Sequence, residues 1–226
     1  MENCPKCKSK NFRKDGIVKS RQRYLCKDCK HRFTVEQIGK PYNLKKDALI
    51  LYLEGLGFRS IGRVLHVSHV SVFNWIKAFG EKLDEFRNPS EIQVMELDEM
   101  HTYIGQKKNY CWIWIAVDRD GHRFINCEVG TRGSETGERL WAKIREYAKG
   151  IVCTDYWKAY EDFVPWEQHI QTKEETYTVE GYNSLFRHFL ARLRRKTKCY
   201  TKAKYMLVHS IKLLMFKWNH DLAILF

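Results

Sequence analysis

NYCWIWIAVD, residues 109–118, is apolar at odd and even positions alike from Cys111 to Val117. A strand with two apolar faces must be covered on both, so this one reads as the buried centre of a sheet. The chain on either side supplies neighbours. Ile92–Leu97 is a first strand, running out through Glu96-Leu97-Asp98-Glu99, and Arg123–Val129 follows the Asp120-Gly121 turn. The three strands are close enough along the chain for an antiparallel meander. Ser134 is a cap for a helix through Ala148, with Leu140, Trp141, Ile144 and Tyr147 inward and Gly150 ending it. Ile151–Asp155 is a short buried strand ending in a carboxylate. A helix at about Trp157–Phe163, a fifth strand at His169-Ile170, a long helix from near Glu180 and a last one over Lys202–His220 complete the order.

Three antiparallel strands, then helix, strand, helix, strand and helices, is the element order of a ribonuclease H-like α/β fold. The expected domains are a zinc ribbon at 1–40, a helix-turn-helix at 41–88 and this mixed-sheet domain at 89–226, with Asn88-Pro89-Ser90 as a linker.

Charge is divided along the chain. Residues 1–90 carry 19 Lys/Arg against 9 Asp/Glu, residues 91–180 carry 11 against 17, and residues 181–226 carry 10 against 1. Basic arms favour a polyanion such as nucleic acid. An acidic middle suits carboxylates gathered to hold divalent ions against phosphate. No apolar run approaches a membrane span, and the opening residues lack the core of a signal peptide, so a cytoplasmic, nucleoid-associated protein is expected.

Cys4, Cys7, Cys26 and Cys29 form C-x2-C-x18-C-x2-C. Two such knuckles place four thiolates around one tetrahedral Zn²⁺, which supplies the folding energy so small a segment lacks. Asn11–Leu25 reads as a hairpin turning at Asp15-Gly16, with Ile17, Tyr24 and Phe33 covering one side. The ribbon's basic surface suits DNA, although basic ribbons also serve as protein docking modules. The other four cysteines, Cys111, Cys127, Cys153 and Cys199, read as small buried hydrophobes.

Residues 44–54, after an Asn43 cap, form a helix ended by Gly55 and Gly57. Phe58–Leu65 is a short helix with Ile61, Val64 and Leu65 inward, and Gly62 permits close approach. After His66-Val67, Ser68 caps a third helix to about Phe79, with Val72, Phe73, Ile76 and Phe79 on its inner face. That is a helix-turn-helix, whose second helix presents His69, Val70, Ser71, Asn74 and Lys77 to the major groove.

In the late helix Tyr182, Leu185, Phe186, Phe189, Leu190 and Leu193 make a buried stripe, and Glu180, Asn183, Arg187, Ala191 and Arg194 take the opposite face. If the strands ending at Asp98 and Asp155 are parallel neighbours, both carboxylates emerge at one edge, within reach of Glu180. Strand ends favour Asp98 and Asp155. Spacing alone leaves Glu180 open, and Glu96, Glu99, Asp118, Glu174 and Glu175 stand nearby. Three such acids can hold two Mg²⁺ (or Mn²⁺) about 3.5–4 Å apart. Arg192, Arg194, Arg195, Lys196 and Lys198, with Asn183, supply phosphate contacts. The tryptophans Trp112, Trp114, Trp141 and Trp157 read as core, and His101 and His169 as structural.

The segments ELDEMHTYIGQKKNYCWIWIAVD, CTDYWKAY and VEGYNSLFRHFLARLRRKT, in that order, resemble the insertion-sequence-one family of bacterial and archaeal transposases. The last is the most specific, with Glu180, Asn183 and Arg187 followed by Leu190-Ala191-Arg192. The resemblance implies an Asp-Asp-Glu triad at Asp98, Asp155 and Glu180, with Arg187 as its basic companion. It implies a DNA transposase that cuts at terminal inverted repeats and joins the freed 3′ ends to target DNA. Such an enzyme holds both ends together, so a homodimer or larger oligomer on DNA is expected. The chain departs from the family's pattern at His101, Tyr156 and Gly181. A DNA-binding repressor and a structure-selective nuclease without strand transfer are the rival readings.

Overall fold

The computed structural model describes residues 3–19, 21–34, 40–83, 86, 88–89 and 91–225, in two compact units, Met1–Tyr42 and Asn43–Phe226.

The first unit is a three-stranded antiparallel sheet in the order β1 (Phe12–Val18), β2 (Arg21–Cys26), β3 (Arg32–Thr34). Its core is Cys4, Cys26 and Phe33 with Phe12 and Tyr24 packed against them. The expected turn at Asp15-Gly16 is instead a bulge inside β1. Gly16 takes φ +80°, and the register to β2 slips between Lys14 and Ile17. The extra residue turns Ile17 out, 72% exposed, while Asp15 pairs with Arg23 and Arg32. The strands reverse at Lys19, in the left-handed region at φ 49°, and the next residue, Ser20, lies outside the described residues.

The second unit contains helices α1 (Tyr42–Leu53), α2 (Phe58–Val64), α3 (His69–Glu81), α4 (Ser134–Ile144), α5 (Tyr177–Phe189) and α6 (Lys204–Trp218). Its five strands are β4 (Ile92–Tyr103), β5 (Tyr110–Asp118), β6 (Arg123–Gly130), β7 (Ala148–Thr154) and β8 (His169–Gln171). The sheet order is β6-β5-β4-β7-β8, with β4, β5 and β6 antiparallel and β7 and β8 parallel to β4. This is the ribonuclease H-like arrangement expected from the element order.

The double-sided apolar strand explains the layering. Cys111, Ile113, Ile115 and Val117 of β5 face a core built with α1–α3, α5 and α6. Trp114 and Ala116 face a second core with Leu140 and Ile144 of α4. The helix-turn-helix segment therefore shares a core with one face of the sheet and belongs to the same compact unit. Of the linker expected at 88–90, Ser90 lies outside the described residues.

Three elements differ from the sequence expectation. Helix α4 ends at Ile144, because residues from Ala148 onward are drawn into β7. Gly150 lies inside that strand, where a Cβ would sit 2.1 Å from the Gln93 carbonyl oxygen. It permits a close crossing, beside a register slip in the β4–β7 ladder between Ile92 and Val94. The helix expected at 157–163 is a 3-10 turn, Lys158–Asp162. Finally α5 starts at Tyr177 and stops at Phe189, and its buried line is Val179, Asn183 and Phe186. Leu190 and Leu193 stay buried past the helix end. Tyr182 and Phe189 of the expected stripe pack against the core, and a polar residue, Asn183, sits in the helix's buried line as well. Among the described residues no helix is long and apolar enough to cross a membrane.

Candidate active site

Strand β4 does not end at Asp98, as the sequence suggested, but runs on to Tyr103, because β5 pairs with it from Met95 to Tyr103. Its other neighbour leaves sooner. β7 pairs with β4 up to Glu96 opposite Cys153 and ends at Thr154. Continuing that parallel register by two residues sets Asp155 beside Asp98, on the same face, where the strands part. Adjacent strands lie about 4.8 Å apart, so the two carboxyl groups are neighbours.

Helix α5 crosses this point and is tied to β4 twice. The backbone N–H of Val179 donates to Glu96 Oε2 at 2.8 Å, and Asn183 Nδ2 donates to Asp98 Oδ2 at 2.5 Å. Four residues of helix rise about 6 Å and two residues of strand about 6.6 Å, so both ties can be made at once. Glu180 follows Val179 in the first turn and is exposed, and Arg187 is half-buried two turns on. Neither side chain has a hydrogen bond or ion pair among the described residues.

The neighbouring acids are engaged elsewhere. Glu96 is fully buried and pairs with Arg119 at 2.5 Å, which also binds Glu175 at 2.6 Å. Glu99 lies on the opposite face of β4. Arg132 donates to it through Nε and an Nη at 2.9 and 2.8 Å, and the Tyr160 hydroxyl donates at 2.7 Å. Asp118 accepts from the Gly121 N–H in the β5–β6 turn at 3.0 Å. Glu174 is exposed. Asp98, by contrast, has only the neutral Asn183 amide as a side-chain partner among the described residues. The Asp155 carboxylate accepts only the Trp157 backbone N–H among them, at 2.9 Å.

This lack of positive charge shows in Asp98, whose carboxyl is pushed up to about 7. Burial is the main cause, and the charges of Glu99 and Asp155 add to it. Asn183 Oδ1 is also buried with no hydrogen-bond partner. Two adjacent carboxylates and an orphaned amide oxygen beside them are oxygen donors of the kind that suits a hard divalent ion, and Glu180 is exposed on the helix that carries the amide. The set is open. Among the described residues, the one group of three or more possible ligands with atoms all within 4.8 Å of one another is the four cysteines.

Those cysteines sit on two matching knuckles. Cys4 N donates to Ser9 O and Lys8 N to Cys4 O, as Cys26 N donates to His31 O and Lys30 N to Cys26 O. Lys8 and Lys30 both adopt positive φ, 62° and 58°. The Sγ separations of 3.7 Å for Cys4–Cys29 and 3.6 Å for Cys7–Cys26 suit tetrahedral thiolate ligation, so the cluster fits zinc. Cys111, Cys127 and Cys153 are buried in strands as expected, whereas Cys199 is exposed.

In the helix-turn-helix, Ser68 Oγ accepts the Ser71 N–H at 3.0 Å and caps α3. Gly62 faces the turn, where a Cβ would meet the Val67 carbonyl at 2.8 Å. His69, Val70 and Asn74 are exposed, and Ser71 and Lys77 half-exposed. Val64, expected inside, is 55% exposed. Arg194 and Arg195 are exposed after α5, with Arg194 bonded to the His188 carbonyl. Asn183, expected among the phosphate contacts, is 4% exposed and directed at Asp98.

Sequence reading missed Arg119 and Arg132. The Arg132 guanidinium lies between the rings of Trp157, at 3.9 Å, and Trp112, at 4.5 Å. Those tryptophans read as core, yet both are half-exposed, and Glu99 and Arg132, 33 positions apart, carry no local signal of the pair.

Comparison with known proteins bears on this geometry. Residues 91–216 match the family model described as IS1 transposase. The chain is 30% identical over 110 residues to the insertion element iso-IS1n protein InsB of Shigella dysenteriae, covering 49% of this chain and 84% of that one. It is 32% identical over 112 residues to the insertion element IS1 protein InsB of Shigella flexneri, covering 50% and 86%. A chain from a solved simian T-cell lymphotropic virus intasome in complex with PP2A regulatory subunit B56 gamma aligns with 74% of this chain and 66% of its own length. That likeness is slight, with a TM-score of 0.38 and 13% identity.

Proposed function

This chain belongs to the IS1 transposase family, and we propose that it cuts DNA at the terminal inverted repeats of an insertion sequence and joins the freed 3′ ends to target DNA. The observation that carries the reading is the juxtaposition of Asp98 and Asp155 where two parallel strands part, without a cation among the described residues, while neighbouring acids such as Glu96, Glu99 and Glu175 are paired.

Asp98 and Asp155 would hold Mg²⁺ (or Mn²⁺), with Glu180 completing the set from the first turn of α5. Bound there, the metal supplies the positive charge that phosphoryl transfer needs. The chain's own groups do the positioning. Asn183 orients the Asp98 carboxylate, and the Trp157 N–H orients Asp155. Arg187, further along α5, draws in the phosphate backbone. The division of labour follows the three segments: residues 41–88 find the repeats through His69, Val70, Ser71, Asn74 and Lys77, the zinc-bearing ribbon at 1–40 adds phosphate contacts, and residues 89–226 perform the chemistry. Arg194 and Arg195 extend the phosphate-binding surface. Both ends must be held together, so the working form is a dimer or larger assembly on DNA, inside the cytoplasm with the nucleoid.

The deciding experiment compares wild type with Asp155→Asn on DNA carrying an element's ends. Metal-dependent nicking and joined products should vanish in the variant while end binding persists. Undiminished cleavage by Asp155→Asn would remove this mechanism. Binding without nicking by wild type would favour a repressor, and nicking without joined products a nuclease.

A further inference from the structure

A cavity of about 590 Å³ lies between the helix-turn-helix and the segment that follows α5, lined by Phe58, Phe73, Arg192, Lys198, Lys202 and Tyr205 among others. None of the acids of the candidate active site lines it, and no Asp or Glu lines it at all.

Arg192 distinguishes this cavity from an ordinary surface recess. It is 9% exposed, and its Nε donates to the Tyr52 hydroxyl at 2.8 Å, which is itself held by Ser210 Oγ at 2.7 Å. Its guanidinium faces the Phe58 ring at 5.4 Å and the Tyr52 ring at 5.7 Å. No carboxylate pairs with it among the described residues. Arg119 and Arg132, more exposed, each hold a buried glutamate. A buried guanidinium without an anion is costly unless a ligand supplies the charge. Arg192 also lines a space of ligand size, with two lysines and several aromatic rings around it.

We propose that this cavity receives one unstacked nucleotide of DNA, its phosphate at Arg192, Lys198 and Lys202 and its base among Phe58, Phe73 and Tyr205. Aromatic walls accept any base through its π-face, and the cations accept the phosphate. His69, at the start of α3, lines the same cavity, so a nucleotide leaving the duplex beside that helix has a short path in. The proposal deepens the transposase reading and rests on it for DNA as the ligand.

The test uses the full-length, zinc-loaded protein and two fluorescent single strands of equal length and charge, oligothymidylate and its abasic counterpart. Wild type should bind oligothymidylate about tenfold more tightly. Tyr205→Ala should remove most of that preference without weakening the abasic strand, and Arg192→Lys should weaken both. Tyr205 is 46% exposed at the rim, so its variant decides the matter even if Arg192→Lys fails to fold. Equal binding of the two strands by wild type overturns the proposal, as does a preference that survives Tyr205→Ala. Metal-dependent nicking is followed in parallel. Nicking that persists without a base preference removes the nucleotide pocket alone, whereas nicking untouched by Asp155→Asn removes the transposase mechanism alone.

Discussion

Asn183, in the buried line of α5, donates its side-chain amide to the Asp98 carboxylate on β4 at 2.5 Å, while its own oxygen has no partner. This bond directs a candidate metal ligand and, with the Val179 N–H bond to Glu96, ties the helix that carries Glu180 to β4. Asn183→Ala is expected to lower cleavage by about 10–100-fold, the usual cost of losing a ligand's orienting partner. The metal concentration for half-maximal activity should rise with it, and end binding should not change. Cleavage assays across a Mg²⁺ series check this.

Asp98→Asn should abolish cleavage and yet stabilise the metal-free protein. In the folded chain, burial and then Glu99 and Asp155 raise Asp98 to about 7, against about 3.9 in an unfolded chain. The folded state therefore holds this proton more tightly, and the metal-free protein loses stability as pH rises from about 4 through 7. The variant lacks that loss. It should exceed wild type at pH 8 by on the order of 4 kcal/mol, and the difference should shrink by pH 4. Thermal melts in chelator at the two pH values read it directly.

Arg132 holds the buried Glu99 from between two tryptophan rings. Removing one partner of such a pair strands the other charge. Arg132→Met should destabilise the fold by about 2–3 kcal/mol, less than the roughly 3–5 kcal/mol for a fully buried pair, because the arginine is partly exposed. Adding Glu99→Gln should recover much of that loss. Denaturant unfolding of the two single variants and the double variant measures the coupling.

Zinc removal, or Cys26→Ser, should unfold residues 1–42 and leave the melting of residues 43–226 nearly unchanged, because the two are separate compact units. The ribbon's core is Cys4, Cys26 and Phe33 with a few rings, too little apolar area to fold without its metal. Proteolysis confined to the amino-terminal unit, with weaker and more salt-sensitive DNA binding, is the expected result.

The local signals in the sequence were of short range. Paired knuckles announced the thiolate cluster because ligand spacing is a property of one tight turn. A strand apolar on both faces announced the covered sheet because burial of alternate side chains follows from the pleat. Ser68 and the apolar spacing after it set α3, since a cap and a helical period are read within a few residues. Helix α5 was harder. Its stripe left out Asn183, which, polar in sequence, is buried through a bond to a residue 85 positions away.

By itself, then, the amino-acid order determined the kinds of element, their succession and the candidates for ligation. Which acids remained without a cation was decided only on folding. Glu96 meets Arg119 across 23 residues, and Glu99 meets Arg132 across 33. Arg192 reaches Tyr52 across 140, with no acid to pair with among the described residues. Charge compensation acts through space, so an acid or a base shows its partner, or its want of one, only once the chain has closed around it.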